Sequence, residues 1–164
     1  MAPSVVHAVS NTSPVNYLIL IDEIGILPQL YGQVLVPQAV VNELGHVESP
    51  SIVKNWAAQP PAWVKVGIPT SKPDTTLADL GAGERDAILL AQEVDGSFLI
   101  IDERAGTREA ANRGLLITST LGVLDAAADR GLIDIRQAVS RLLATSFRIR
   151  RDIVESLLEK HESR

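Results

Sequence analysis

Four places in this sequence put oxygen-bearing side chains where an apolar run gives way to something else. The run Val6-His7-Ala8-Val9 stops at Ser10-Asn11-Thr12-Ser13-Pro14. Glu43 follows Val34-Leu35-Val36 by one short helical stretch. Glu84 and Asp86 sit in Gly81-Ala82-Gly83-Glu84-Arg85-Asp86. Asp102 and Glu103 directly follow Phe98-Leu99-Ile100-Ile101. There is no cysteine, and His7, His46 and His161 are isolated, so neither a thiolate site nor a histidine dyad is expected. An amide with three carboxylates is an oxygen-rich set suited to hard cations, Mg2+ or Mn2+. Such an ion lowers the pKa of a bound water and stabilises charge on a transferring phosphoryl group, the usual equipment for cutting a phosphodiester.

Alternating strands and helices must position these groups. Short Val-, Ile- and Leu-rich runs predict buried strands over Val5 to Val9, Val34 to Val36, Phe98 to Ile101 and Leu115 to Ile117. Trp63 to Ile68 alternates apolar and polar residues and predicts an edge strand. Ser13-Pro14 predicts a helix start, with Ser as N-cap and Pro in the first turn, running to about Asp22. Further helices are expected over Ile24 to Leu30, Gln38 to Leu44, Ser49 to Ala58, Glu84 to Val94, and from Asp102 through Arg108 to Asn112. Three more follow: Ser119 or Thr120 to Arg130, Arg136 to Leu143, and Arg151 to Lys160. Thr70 to Asp79 reads as a loop. This order predicts an α/β fold with a mostly parallel central sheet flanked by helices. In such a sheet, ligands bind beyond the carboxyl ends of the strands. Asn11, Thr12 and Ser13, then Asp102 and Glu103, fall at those ends.

The chain of 164 residues fits one domain, residues 1 to 164. With 46% hydrophobic residues and only 4% aromatic, the core is aliphatic, as a helix-covered parallel sheet requires. Met1-Ala2-Pro3-Ser4 lacks the basic start of a signal peptide, and no apolar stretch approaches a membrane span, so a cytoplasmic protein is expected. A net charge of -5 argues against a nucleic-acid coat but leaves a metal-dependent nuclease open, since metals supply local positive charge.

Two carboxylates compete for one place. Glu84 shares a helix face with Ala87, Ile88 and Ala91, a small-residue stripe suited to packing on a sheet. Asp86 shares its face with Leu89, Leu90 and Glu93. Glu84 is the preferred inward group and Asp86 the second choice. Each acid also has a plainer reading. Asn11 can serve as a turn residue, Glu84 as a partner for the positive end of its helix, Asp102 as a helix starter, and Glu43 as a solvated residue.

The stretches "VVHAVSNTSPVNYLI", "VLVPQAVVNEL", "LGAGERDAILLA", "LIIDERAGTREA" and "LLITSTLGVLDAAADRGLI" together resemble the PIN-like family of small prokaryotic nucleases. The closest likeness is to its predicted nucleic-acid-binding branch, catalogued as a domain of unknown function and related to toxins of type II toxin–antitoxin pairs. The resemblance runs from about Val5 to the last helices. It implies a Rossmann-type three-layer sandwich and a ribonuclease dependent on Mg2+ or Mn2+. It also implies single-stranded RNA as substrate, a protein antitoxin as partner, and a homodimer. By position, Asn11 stands where the family's first Asp is usual. Glu43, Glu84 (or Asp86) and Asp102 match its other acids. Thr12 and Ser13 match the small hydroxyl residues beside the first, and Glu103 is an outer participant. Asn11 departs from the pattern, since an amide keeps the shape and one acceptor but loses the charge. A module of the same fold that binds nucleic acid or a partner without hydrolysis is therefore the alternative reading.

Gly81-Ala82-Gly83 is a fragment of a dinucleotide loop, but no strand precedes it as that motif requires and Asp86 takes the place of the third glycine. Arg104, Arg108 and Arg113 follow Asp102, and Arg148, Arg150 and Arg151 cluster near the other end of the chain. They read either as solvated faces or as phosphate contacts beside the acidic pocket, with Arg104 and Arg108 the first candidates for nucleic-acid binding. Leu121, Leu124, Leu142 and Leu143 offer more apolar surface than one core was expected to need.

Overall fold

The computed structural model describes residues 6–162, without the side chains of Val6 and His7. The expected strand start at Val5 and the packing of His7 lie outside the described residues. The elements are β1 (Val6–Ser10), α1 (Thr12–Leu20), α2 (Ile26–Tyr31), β2 (Gln33–Pro37), α3 (Gln38–Leu44), α4 (Ser51–Ala58) and β3 (Val64–Gly67). They continue with α5 (Ala82–Glu93), β4 (Phe98–Ile100), α6 (Arg104–Asn112), β5 (Leu116–Thr118), α7 (Thr120–Asp129), α8 (Ile135–Leu143) and α9 (Arg151–Glu162). The five strands pair in the order β3-β2-β1-β4-β5, and every pairing is parallel. β3 lies at an edge, as its alternating pattern predicts.

Strand periodicity divides the core into two layers. Ala8, Val34, Val36 and Ile100 point to one face and pack with residues of α1 to α4 and α7 to α9. Val9, Leu35, Leu99 and Ile101 point to the other and pack with α5, Ala110 of α6 and Leu77. Alternate residues of a strand face opposite sides, so strands that are apolar throughout must be covered twice. The result is the three-layer α/β sandwich. Leu121, Leu124 and Leu142 are absorbed by this core, while Leu143 is left 44% exposed.

Most element bounds move by a residue or two from the sequence reading, and three of the departures have a clear local cause. Helix α1 begins earlier than Ser13: Asn11 is its N-cap, in extended backbone, and Pro14 is the third helical residue. The chain can turn early because the missing N–H of Pro14 is one of the first-turn donors that have no partner within the helix. The loop from Thr70 contains a 3-10 turn, Thr75–Leu77, capped by Asp74 and anchored by fully buried Leu77. Strand β5 is shifted one residue on from Leu115, whose N–H instead closes the end of α6 on Ala110 O (3.1 Å).

Helix α9 is tied to α7 by charge. Asp125 accepts from Lys160 Nζ at 2.8 and 2.9 Å and lies 2.7 Å from His161 Nε2. Burial opposes ionisation of Asp125, but the Lys160 and His161 contacts outweigh it and hold the carboxyl below its ordinary range. A depressed folded pKa adds stability above the ordinary Asp value, lost as pH falls through the folded one. Asp125→Ala is expected to cost about 1 kcal/mol at neutral pH, as a half-exposed pair with two partners should. The difference from the native protein should close on acidification. Thermal melts across pH check this, and equal melting temperatures at pH 7 would remove the clasp.

Candidate functional site

Strand order creates the site. The chain builds from β1 outward through β2 to β3, then returns to add β4 and β5 on the other side of β1. Connections therefore leave the carboxyl ends of neighbouring β1 and β4 in opposite directions, which opens a crevice at that edge. β1 delivers Asn11 there, and β4 delivers Asp102 and Glu103.

Asn11 is 2% exposed. Its backbone N–H donates to Ile100 O at 3.0 Å, which ties the two strand ends together. Its side-chain Nδ2 donates to Glu103 Oε2 at 2.9 Å. The other half of the amide, Oδ1, is buried without a hydrogen-bond partner among the described residues. An unmatched buried acceptor costs on the order of 1–3 kcal/mol. It is also the kind of oxygen a hard cation takes.

Glu43 reaches across from α3 to two helix N-termini. Its carboxylate accepts the Thr12 hydroxyl in the first turn of α1 and the Gly83 N–H in the first turn of α5, the latter at 3.0 Å. A Cβ on residue 83 would stand 2.8 Å from both Glu43 oxygens, so any other residue there would push this carboxylate from its place. That close approach is what Gly83 is for, in place of the dinucleotide loop its sequence suggested. Ser13 lies half-buried beside Thr12.

Glu84 is the third residue of α5, and its carboxylate lies near the backbone of its N-cap Gly81. A Cβ on Gly106 of α6 would lie 2.8 Å from Glu84 Oε2 and 2.7 Å from Ile101 Cδ1, so α6 too makes room for the acid. Burial foremost, then the charge of Glu103, push the Glu84 carboxyl above its ordinary value; the Gly81 backbone bond opposes them, and Glu43 adds a smaller push. Glu84 thus lies within reach of the charges of both Glu103 and Glu43. Asp86 sits apart, 3.2 Å from Arg85 Nε. The face argument alone does not separate the two, because Ala87, Ile88 and Ala91 and also Leu89 and Leu90 are buried. Distance from the helix N-terminus does.

Asp102 is held by a residue that the sequence reading used only as a cap. The Thr120 N–H donates to Asp102 Oδ1 at 2.8 Å and the Thr120 hydroxyl to Oδ2 at 2.6 Å. Thr120 is fully buried. Burial pushes the Asp102 carboxyl up, and the two Thr120 bonds work against it. The signal for Thr120 was present in Thr118-Ser119-Thr120, a polar run ending a strand just as Ser10 to Ser13 ends β1.

Arg104, the first residue of α6, is exposed and shares a cleft of about 460 Å³ with Arg148, Ile149, Arg150 and Ile153. Arg150 pairs with Asp152 at 2.6 Å, and Arg148 donates to Thr145 O and Phe147 O. Arg108 is exposed one turn further along α6. Arg113 is committed elsewhere: it binds Asp74, Glu109 and Gln92 and fastens the loop before α5.

The donor set is all oxygen, one buried oxygen lacks a partner, and two glycines leave room for the carboxylates; these features fit a hard divalent cation. The acids stand apart, however. Among the described residues, a trio of ligand atoms within 4.8 Å of one another occurs only at Asp125, Asp129 and His161. There the Lys160 ammonium already lies on Asp125 and 3.6 Å from Asp129, so the chain supplies its own cation. No helix among the described residues is long and apolar enough to cross a membrane. In comparisons with known proteins, residues 7–163 match a family model described as a PIN domain, numbered among the domains of unknown function. No curated protein and no solved structure matches the chain.

The raised pKa of Glu84 has a sign that can be tested. A group whose folded pKa is raised favours the fold below its unfolded value, and that contribution is lost as pH rises through the folded one. The Glu84 charge therefore destabilises the metal-free protein at neutral pH. Glu84→Gln should raise its melting temperature at pH 7 in EDTA by roughly 2–4 °C. The gain should vanish as pH is lowered and native Glu84 takes up its proton. An unchanged or lower melting temperature at pH 7 would mean that the buried Glu84 charge carries no net penalty in the fold.

Proposed function

This chain belongs to the PIN-domain family, a nuclease-type fold, and from that membership we propose that it is a ribonuclease using Mg2+ or Mn2+ to hydrolyse single-stranded RNA. The observation that carries the reading is the buried, unpartnered Oδ1 of Asn11, whose Nδ2 holds Glu103, with Glu84 in reach of the charges of Glu103 and Glu43. Asn11, Glu43, Glu84 and Asp102 would hold the ion, with Glu103 beside them. When bound, the ion supplies positive charge that stabilises the phosphoryl group in the transition state and acidifies water.

The chain's own groups do the rest. Thr12 and Gly83 hold the Glu43 carboxylate, and Thr120 fixes both oxygens of Asp102. Water adds to phosphorus and gives its proton to solvent or a neighbouring carboxylate, while the bond to the leaving ribose oxygen breaks and that oxygen takes a proton from solvent to leave as a hydroxyl. Arg104 starts its helix next to Glu103, so a strand held in the Arg104–Arg148–Arg150 cleft would run past the acids, with Ile149 and Ile153 under its bases. Arg108 would extend the phosphate path. By likeness to the family's toxins, the proposal includes a cytoplasmic location, a protein antitoxin and a homodimer. The second reading, a binding module without hydrolysis, draws support from the neutral side chain of Asn11.

Cleavage of a mixed single-stranded RNA pool with Mn2+ separates the two readings. Native protein should cut, and Asp102→Asn should lose at least ~100-fold while still binding RNA. Arg104→Ala should raise KM roughly tenfold with little change in kcat, as lost phosphate binding does. Native protein that binds RNA but leaves it intact with either metal would select the binding module.

A further inference from the structure

We infer that Asn11 is a positioning residue whose amide holds Glu103 as the fourth carboxylate of the site, so that Asn11 and Glu103 together do what one carboxylate at the end of β1 would do. The part concerning metal rests on the ribonuclease reading; the pairing does not.

The pairing follows from geometry. The amide of Asn11 is almost wholly buried, and its Nδ2 donates to Glu103 Oε2 at 2.9 Å. The backbone of Asn11 is fixed on both sides, by Ile100 O and by its place as N-cap of α1. The donor therefore cannot easily leave, and Glu103, itself the N-cap of α6, is drawn toward β1. The charge of Glu103 reaches Glu84 strongly enough to be the largest like-charge influence on it. The Asn11 bond thus holds one oxygen of this carboxylate at the end of β1. The remaining atom of the amide, Oδ1, has no partner and is a neutral oxygen ligand beside the carboxylate that Nδ2 has fixed.

An aspartate at position 11 would set two carboxylates where a donor now meets an acceptor. Without a cation or a shared proton, like charges at hydrogen-bonding distance repel. A gain in metal affinity from Asn11→Asp would then come with a loss of stability in the metal-free protein. Exchanging the pair avoids this: in Asn11→Asp combined with Glu103→Gln, the new amide at 103 can donate back to the new carboxylate at 11, and the charge count is unchanged.

A double-mutant cycle on the full chain tests the inference with two readouts, melting temperature in EDTA and Mn2+ binding by titration calorimetry. In EDTA, Asn11→Asp should melt roughly 5 °C lower than native. Glu103→Gln should melt at or above native, because its oxygen still accepts from Asn11 and a charge is gone. The exchanged double variant should return to within about 1 °C of native. With Mn2+, Glu103→Gln should bind at least ~10-fold more weakly, and the exchanged variant should recover to within roughly threefold. If the single effects simply add in EDTA, Asn11 does not hold Glu103 and the inference is overturned. It is also overturned if Glu103→Gln binds Mn2+ as native does. Native protein that binds no Mn2+ would sink the ribonuclease reading instead, and the EDTA cycle would still decide the pairing.

Discussion

Like charge brought together at one edge of a sheet is the constraint that organises this protein. The charges of Glu103 and Glu43 press on Glu84, which is itself desolvated, and Asp102 is desolvated next to Glu103. The parallel topology supplies what offsets this. Every strand that runs toward this edge is followed by a chain reversal into a helix, so helix N-termini collect there, with free N–H groups and the positive ends of their dipoles. Two of the acids use one directly, and a third sits beside one. Glu43 takes Gly83 N–H at the start of α5, Asp102 takes Thr120 N–H at the start of α7, and Glu84 lies in the first turn of α5 near Gly81. Glu103, which itself caps α6, is held by a side-chain amide instead.

The same requirement explains residues that carry no charge. Gly83 and Gly106 lie on the two helices of one layer, and in each case a Cβ would intrude on a carboxylate of the site. Thr12 and Thr120 sit at the starts of the helices that follow β1 and β5, and each gives its hydroxyl to an acid from another element. The site is therefore built as much from the first turns of helices as from strand ends. A substitution there changes helix capping and site electrostatics together.

Much of this was legible in the sequence because it depends on local chemistry. Short aliphatic runs between helix signals announce buried parallel strands, and an abrupt polar break such as Ser10 to Ser13 announces where one must release a side chain. The helix face favours Glu84 over Asp86 less than the sequence suggested, since the helix is buried on both faces; what sets Glu84 apart is its closeness to Gly81 and to the charges of Glu103 and Glu43. What was not legible is pairwise and non-local. Nothing in Glu43 points to Gly83, forty residues on, and nothing in Thr120 points to Asp102. Arg104, Arg108 and Arg113 look equivalent along the chain, yet Arg113 is spent on Asp74 while Arg104 lines an open cleft. Helical rotation and the length of α6 separate them, and those act only once the sheet exists.

The amide at position 11 shows how the charge constraint can choose a residue against chemical habit. A carboxylate there would offer a cation more, but it would also face Glu103 at the distance where Nδ2 now donates. An amide offers one donor and one acceptor from the same buried plane. The donor removes a conflict by fixing a neighbouring carboxylate; the acceptor leaves an oxygen still to be used. The turn that fixes Glu103 also sets the next residue, Arg104, at the mouth of the basic cleft. A single hydrogen bond from β1 to the start of α6 thus orders an acid and, through one peptide unit, the cation beside it.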